Sequence, residues 1–275
     1  MKTETIRFGC QTYTWQMSFD KYRGEIEHII DTVEASGMEG IEPEVCMLGK
    51  FKEEPRKFRN CLESHRVELG ALCLVCDWLH IKETPEEFAE ANRVIEMLKN
   101  YFPASVLVLC QMPGENREDL AERQKSMLGC VNAVGARASD AGIRAAFHPN
   151  SPPGSIFRIE DDYDLLLDRL DSKVLGFAPD AGHIAKGGMD PVKIFRDSAA
   201  VIRHVHFKDM DLAGNWIEMG RGSIDFQGIY KVLQESSYRG WIMVEDESEL
   251  AERDPDAATL LNGKYVAEHF DSRAT

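Results

Sequence analysis

Eight short apolar runs, each followed by a longer amphipathic stretch, constrain this chain more than any single motif does. The runs begin at Ile6, Gly40, Val67, Ser105, Ile143, Val174, Val201 and Gly240. Each is short, apolar and bounded by polar or turn residues, which is how a buried strand reads. Between them, YRGEIEHIIDTVEASG, PEEFAEANRVIEMLKNYF and REDLAERQKSMLGCVNAVGARASDAG repeat their apolar residues at three and four, and Gly37 and Gly142 stand where helices should stop. The strand starts recur roughly every thirty residues, the pace of βα units. Eight such units in 275 residues give an α/β chain with one domain, residues 1–275, closed as a (β/α)8 TIM barrel. The turn after the first run, GCQTYTW, is not the Gly-rich phosphate turn of a doubly wound sheet, so no nucleotide cofactor is expected.

A barrel of this kind gathers its chemistry at the carboxyl ends of its strands. Those ends carry Gln11, Thr12 and Tyr13; Glu42 and Glu44; Asp77, Trp78 and His80; Gln111; His148 and Asn150; Asp180 and His183; His206 and Lys208; and Glu245, Asp246 and Glu247. Four of the eight histidines fall there, which a bland surface distribution would not produce. The densest stretch is Val174 to Asp209. Two apolar runs there end in Asp180 and His183 and in His204, His206 and Lys208, and DPVKIFRDSAA between them has helical spacing, with Asp190 placed to cap and Pro191 at the first helical position.

Imidazole and carboxylate together suit one divalent metal such as manganese, zinc, cobalt or iron better than calcium, which takes oxygen alone. His148, Asp180, His206 and Glu245 come from four consecutive strands and are the expected ligands. Such an ion polarises a carbonyl or hydroxyl oxygen, and His148, His183 or Glu245 could move the proton. Blander readings stand beside these. Asp180 could simply cap the following turn. His204 lies deeper than His206 and reads as a core histidine. His80 and Lys208 fit a solvated loop as well as a site. Cys73 and Cys76 have metal-knuckle spacing, but three residues apart in a strand they face opposite ways. His28, His65 and His269 fall on helical segments, and the acidic run after Glu245 reads as a solvated face.

FAPDAGH, IRHVHFKD and GRGSIDFQGIYKVLQESSYRGWIMVE together resemble the strand-six, strand-seven and closing motifs of the xylose isomerase-like TIM-barrel superfamily, the sugar phosphate isomerase/epimerase group. The resemblance covers essentially the whole chain. It implies that Asp180, His206 and Glu245 are metal ligands, that His183 touches substrate hydroxyls, and that Arg221 lies near the substrate. It also implies an isomerase or epimerase acting next to the carbonyl of a ketose, sugar or cyclic polyol. Epimerases of the group place a glutamate on strand five, where this chain has Ala146 in AAFHPNSPPGS. The H-P-N form, with His148, is closer to the group's dehydratases, such as inosose dehydratase. His148 then stands either as fourth ligand or as the base, and a lyase becomes the alternative. A barrel that binds sugar without chemistry is a second alternative. Lys208, Arg221, Glu42, Trp78 and Asn150 are the expected substrate contacts.

A net charge of −15 argues against nucleic acid and against an anionic membrane surface, which also disfavours the apurinic endonucleases of the same superfamily. No apolar run reaches the roughly 18 residues of a membrane span, and MKTETIRFG has no apolar leader core. Seven scattered cysteines suit a reducing cytoplasm better than a disulfide framework. The expected partner is a small carbohydrate. The outer helices leave room for a homo-oligomer.

Overall fold

The computed structural model describes residues 5–270. Its strands are β1 (Arg7–Gln11), β2 (Gly40–Glu42), β3 (Glu68–Leu69), β4 (Ala71–Cys76), β5 (Val106–Gln111), β6 (Arg144–His148), β7 (Leu175–Phe177) and β8 (Val205–Phe207), then a small hairpin of β9 (Asp209–Met210) and β10 (Trp216–Ile217), and β11 (Trp241–Val244). All eight apolar runs contain strand. The third is broken at Gly70, where a Cβ would run into Met243 and Trp241. The seventh is shorter than its sequence suggests, because the helix Pro191–Ser198 continues into a 3-10 turn over Ala199–Val201. Two alanines, good helix formers, follow that helix with no glycine or proline to stop it.

Helix ends follow the sequence closely. Asp190 accepts from the N–H groups of Val192 and Lys193, with Pro191 opening the helix. Thr84 and Glu87 form a reciprocal capping box at the start of Pro85–Tyr101. Gly37 and Gly142 take left-handed φ values of 79° and 78° just past their helices, a conformation in which a side chain is strained.

The chain divides into two compact units. Among the described residues, one holds 5–70, His206–Ile224 and 239–270; the other holds Ala71–Val205 and Asp225–Tyr238. In the first unit the strands pair in parallel in the order β3-β2-β1-β11, and β8 lies beyond β11. Gly9 is opposite both Gly40 and Met243 in this register. The glycines are there for room. Trp241 and Met243 fill the space over Gly9, Gly40 and Gly70, and Arg7 lies 4.0 Å over the Trp241 ring while reaching Glu68 at 2.7 Å. On the other face Phe8, Phe207 and Phe270 pack ring against ring.

In the second unit β4-β5-β6-β7 form a parallel sheet in which Cys73, Val108, Ala146 and Gly176 are aligned. The face carrying those residues is built of small side chains, with Ala71, Val106, Cys110 and Ala178 in the same cluster. The opposite face carries Leu72, Leu74, Leu107, Leu109, Phe147 and Phe177, all buried. Each of these larger side chains contributes about 1.5–3 kcal/mol on leaving water. Ile202 bridges Phe177 in parallel, extending this sheet toward the segment that precedes β8. Asp162, almost fully buried, ties the helix Glu160–Arg169 to its surroundings through Arg117, Gln124 and the N–H groups of Arg158 and Ile159.

Gly9→Ala is expected to cost about 1–3 kcal/mol through overpacking, since a Cβ at Gly9 would sit 2.6 Å from the Gly40 carbonyl oxygen and from Met243 Sδ. A lower urea midpoint at unchanged slope would report it.

Candidate active site

In the first unit, Gln11 and Glu42 are register partners at the ends of β1 and β2, and Glu245 follows β11 with its N–H bonded to the Phe207 carbonyl at 3.0 Å. His206 lies between two carboxylates. Its Nε2 is 2.9 Å from Glu42 and its Nδ1 is 3.5 Å from Glu245, and all three side chains are removed from solvent. Burial alone would push the imidazole down. The charges and hydrogen bonds of Glu42 and Glu245 more than reverse that, lifting His206 to about 10. Without a metal, that direction favours the protonated ring. A divalent cation favours the same surroundings and needs the ring deprotonated.

Lys208 is buried to 1% exposure and bonds to both Glu245 and Glu247. It also lies 5.1 Å from the Trp216 ring and 5.9 Å from that of Tyr13. The alternative reading of Lys208 as a solvated loop residue is thus corrected, and for Asp246 and Glu247 so is the reading of the acidic run as a solvated face; farther along, Glu249, Glu252 and Asp254 are exposed. Asp246 is buried and bonds to Asn262 and to the Ser248 N–H, while Glu247 is drawn inward by Lys208. The reason is local: β11 ends among cations and amide donors contributed by distant parts of the chain, a fact that composition does not carry. Burial pushes the Tyr13 hydroxyl up to about 12, helped by Glu247 and Glu245.

Asp209, which sequence reasoning passed over, organises the loop that carries Arg221. Its carboxylate accepts from the N–H groups of Met210, Gly220, Gly222 and Ile224 at 2.8, 2.9, 2.9 and 3.4 Å. A Cβ at Gly222 would meet that carboxylate, which explains the second glycine of GRG. Arg221 itself is two-thirds exposed and pairs with Glu218 at 3.0 Å. The signal in the sequence was the acid of IRHVHFKD standing before a GxG loop.

In the second unit, His148 ends β6 and its Nδ1 lies 3.1 Å from the Ala178 carbonyl. A carbonyl can only accept, so Nδ1 carries the proton and the ring's lone pair is on Nε2. Asp180 does cap its helix, Oδ1 taking the His183 N–H at 2.7 Å; capping uses one oxygen and leaves the metal reading intact. His183 is buried, with Nδ1 2.7 Å from Ser151 Oγ, and its ring centroid is 5.6 Å from that of His148. Ser151, just after HPN, went unnoticed in the sequence. Asn150 is knitted into the strand ends through Gln111 and Ser155. His204 is fully buried, in keeping with a core position. Cys73 is buried and Cys76 half-buried, and neither forms a disulfide.

In the first unit His206 and Glu245 offer imidazole nitrogen and carboxylate oxygen from buried positions, and in the second His148, Asp180 and His183 do, donor types that fit a divalent metal of the zinc or manganese kind. The Glu42 carboxylate and the Ala178 carbonyl fix the rings of His206 and His148.

A model of the xylose isomerase-like TIM-barrel family matches residues 30–262. The chain belongs to this family and has its (β/α)8 fold. Inosose dehydratase of Lacticaseibacillus casei is 24% identical over 299 residues, covering 95% of this chain and 96% of that one. Inosose dehydratase of Clostridium beijerinckii is 29% identical over 165 residues, and there the chain spans about half the relative's length, 55%. A crystal structure of IolI protein with a binding zinc atom overlays with a TM-score of 0.77 at 14% identity, covering 96% of this chain and 99% of that one. No described helix is long and apolar enough to cross a membrane.

Two outcomes follow for stability. Asp209→Ala strands backbone donors in a buried place and is expected to cost about 1–3 kcal/mol, with faster proteolysis between residues 218 and 224. Glu44 is raised from 4.5 to about 7, chiefly by burial. The folded carboxyl therefore holds its proton where the unfolded one has lost it, so its contribution to stability is fullest below pH 4.5 and lost as pH rises through 7. In chelator-treated protein, Glu44→Gln should raise the urea midpoint at pH 8 and leave it nearly unchanged at pH 4.

Proposed function

We propose that this chain is a divalent-metal-dependent lyase that removes water from a cyclic polyol ketone of the inosose class. The observation that carries the reading is at the end of β6. Ala146 occupies the place where an epimerase would hold its second carboxylate. His148, its tautomer set by the Ala178 carbonyl, is the nearby group able to take a proton. One imidazole base serves one face of a carbon, which suits elimination better than inversion. The inosose dehydratases among its relatives support the same substrate class.

Asp180, His206 and Glu245 would hold the metal in the family's barrel, whose strands end at one rim, and Glu42 would orient His206. When bound, the ion supplies Lewis-acid polarisation of the substrate's oxygens. His148 Nε2 takes the proton from the carbon beside the carbonyl. The C–O bond to the β-hydroxyl breaks as a C=C bond forms, and His183, oriented by Ser151, delivers a proton to the departing oxygen, releasing water. Lys208 holds Glu245 in place, and Arg221 and Lys208 face the substrate's oxygens.

The test is metal analysis and turnover of an inosose by the wild type and by His148→Ala and Glu245→Gln. The wild type should contain about one divalent ion per chain and yield a product lighter by one water. His148→Ala should keep the metal and lose about 10²–10⁴ in kcat, whereas Glu245→Gln should lose metal. Loss of metal in His148→Ala would instead make His148 the fourth ligand. Deuterium uptake from solvent into sugar of unchanged mass would make the enzyme an isomerase or epimerase. No turnover of any ketose or inosose by metal-loaded wild type would leave a sugar-binding barrel.

A further inference from the structure

Away from the metal-site residues, the second unit contains a cavity of about 130 Å³ between the loops that follow β4 and β5 and the helix Leu120–Asp140. That is roughly ten times the 10–15 Å³ a single water needs. Its walls are largely apolar, with Met112, Met127 and Ile156 among them; none of its lining residues is an expected metal ligand or proton-transfer group, and Trp78 is the one expected substrate contact among them.

Two polar groups in the lining have unmet demands. Trp78 is 1% exposed, and its indole Nε1–H has no acceptor among the described residues. A buried donor left so is destabilising until something accepts from it. Trp78 also adopts a left-handed φ of 43°, held there by the Glu87 carboxylate on its backbone N–H at 2.8 Å. A bulky residue kept in that region marks a place where the fold stores strain for a purpose. The second group is Arg123. Its guanidinium reaches only backbone carbonyls, those of Asn116, Glu118 and Gly154 at 2.6, 3.5 and 3.4 Å. Among the described residues it has no carboxylate partner, in a chain whose net charge is −15.

The guanidinium is positioned by construction. Gly114 and Gly154 bridge the loops after β5 and β6, and a Cβ at Gly114 would strike the guanidinium. Asp77, the one acid in the lining, is exposed to solvent. A fixed cation without a counter-ion, an indole donor without an acceptor and three apolar side chains together describe a receptor for an oxyanion on a carbon body.

We propose that this cavity binds a small organic carboxylate, its oxygens on Arg123 and Trp78 Nε1–H and its carbons against Met112, Met127 and Ile156. The indole N–H of Trp78 is an observable resonance, so binding can be read in the intact chain without turnover and whatever reaction the enzyme performs. The probes are propionate, propionamide and inorganic phosphate, titrated into 15N-tryptophan-labelled wild type, Arg123→Gln and Trp78→Phe, each first checked for native circular dichroism.

Propionate should shift the Trp78 indole resonance saturably with a Kd of about 1 mM or tighter. Propionamide, which has the body without the charge, and phosphate, which has the charge without the body, should bind at least tenfold more weakly. Arg123→Gln should weaken propionate at least tenfold, and Trp78→Phe, read by calorimetry, several-fold. Should Trp78→Phe fail to fold, Arg123→Gln, on a half-exposed side chain, carries the test alone. An absent or non-saturable propionate shift, equal or tighter binding of propionamide or phosphate, or unchanged affinity in Arg123→Gln would each overturn the proposal.

Discussion

Charge withdrawn from water has to be answered by charge, and the end of the first sheet is built around that requirement. Glu42, Glu245 and Glu247 are carboxyl groups drawn in from water, and burial penalises the charged form of such a group, as it raises Glu247. His206 and Lys208 balance them, every member being contributed by the residues at or just beyond a strand end. Removing one partner of such a set leaves an uncompensated buried charge, which costs more than the pair contributes. The set is therefore rigid. It is also a poor device for stability alone, since well-packed apolar residues would do as well. Such a cluster is the kind of place where a bound cation can take the position of a proton.

Buried carboxylates have a second use in this molecule. Asp209, Asp162 and Asp246 each collect backbone or amide N–H groups from segments close in the sequence or far from it. These acids shape loops, whereas Glu42, Glu245 and Glu247 face cations. The difference lies in what each acid faces, and spacing along the chain does not reveal it. Asp180 caps its helix through one carboxylate oxygen.

The histidines show how second contacts set function. His148 and His183 each engage an oxygen partner through Nδ1, and His206 lies between two carboxylates. In His148 and His183 the contact at Nδ1 gives Nε2 a defined direction, which is what either a ligand or a base requires. Arg123, in contrast, bonds only to backbone carbonyls and Trp78 Nε1–H to no acceptor among the described residues, which is the basis of the ligand proposed for them.

The sequence by itself determined the barrel, because the alternation of short apolar runs with 3.6-period segments admits few other arrangements. Local chemistry also determined the caps at Thr84 and Asp190 and the stops at Gly37 and Gly142. The candidate groups at strand ends were legible for the same reason: parallel strands place their carboxyl ends together. Tertiary structure alone decided what those groups face. Lys208 and Asp246 read as solvated and are buried, since their partners Glu247 and Asn262 are distant in the chain. The break at Gly70 and the late start of β8 at Val205 likewise came from packing against Trp241 and Met243 and from a helix that runs on. Hydrophobic periodicity is a property of a segment and can be read from it. Burial and charge pairing are properties of contacts between segments, and only the folded chain brings those contacts into being.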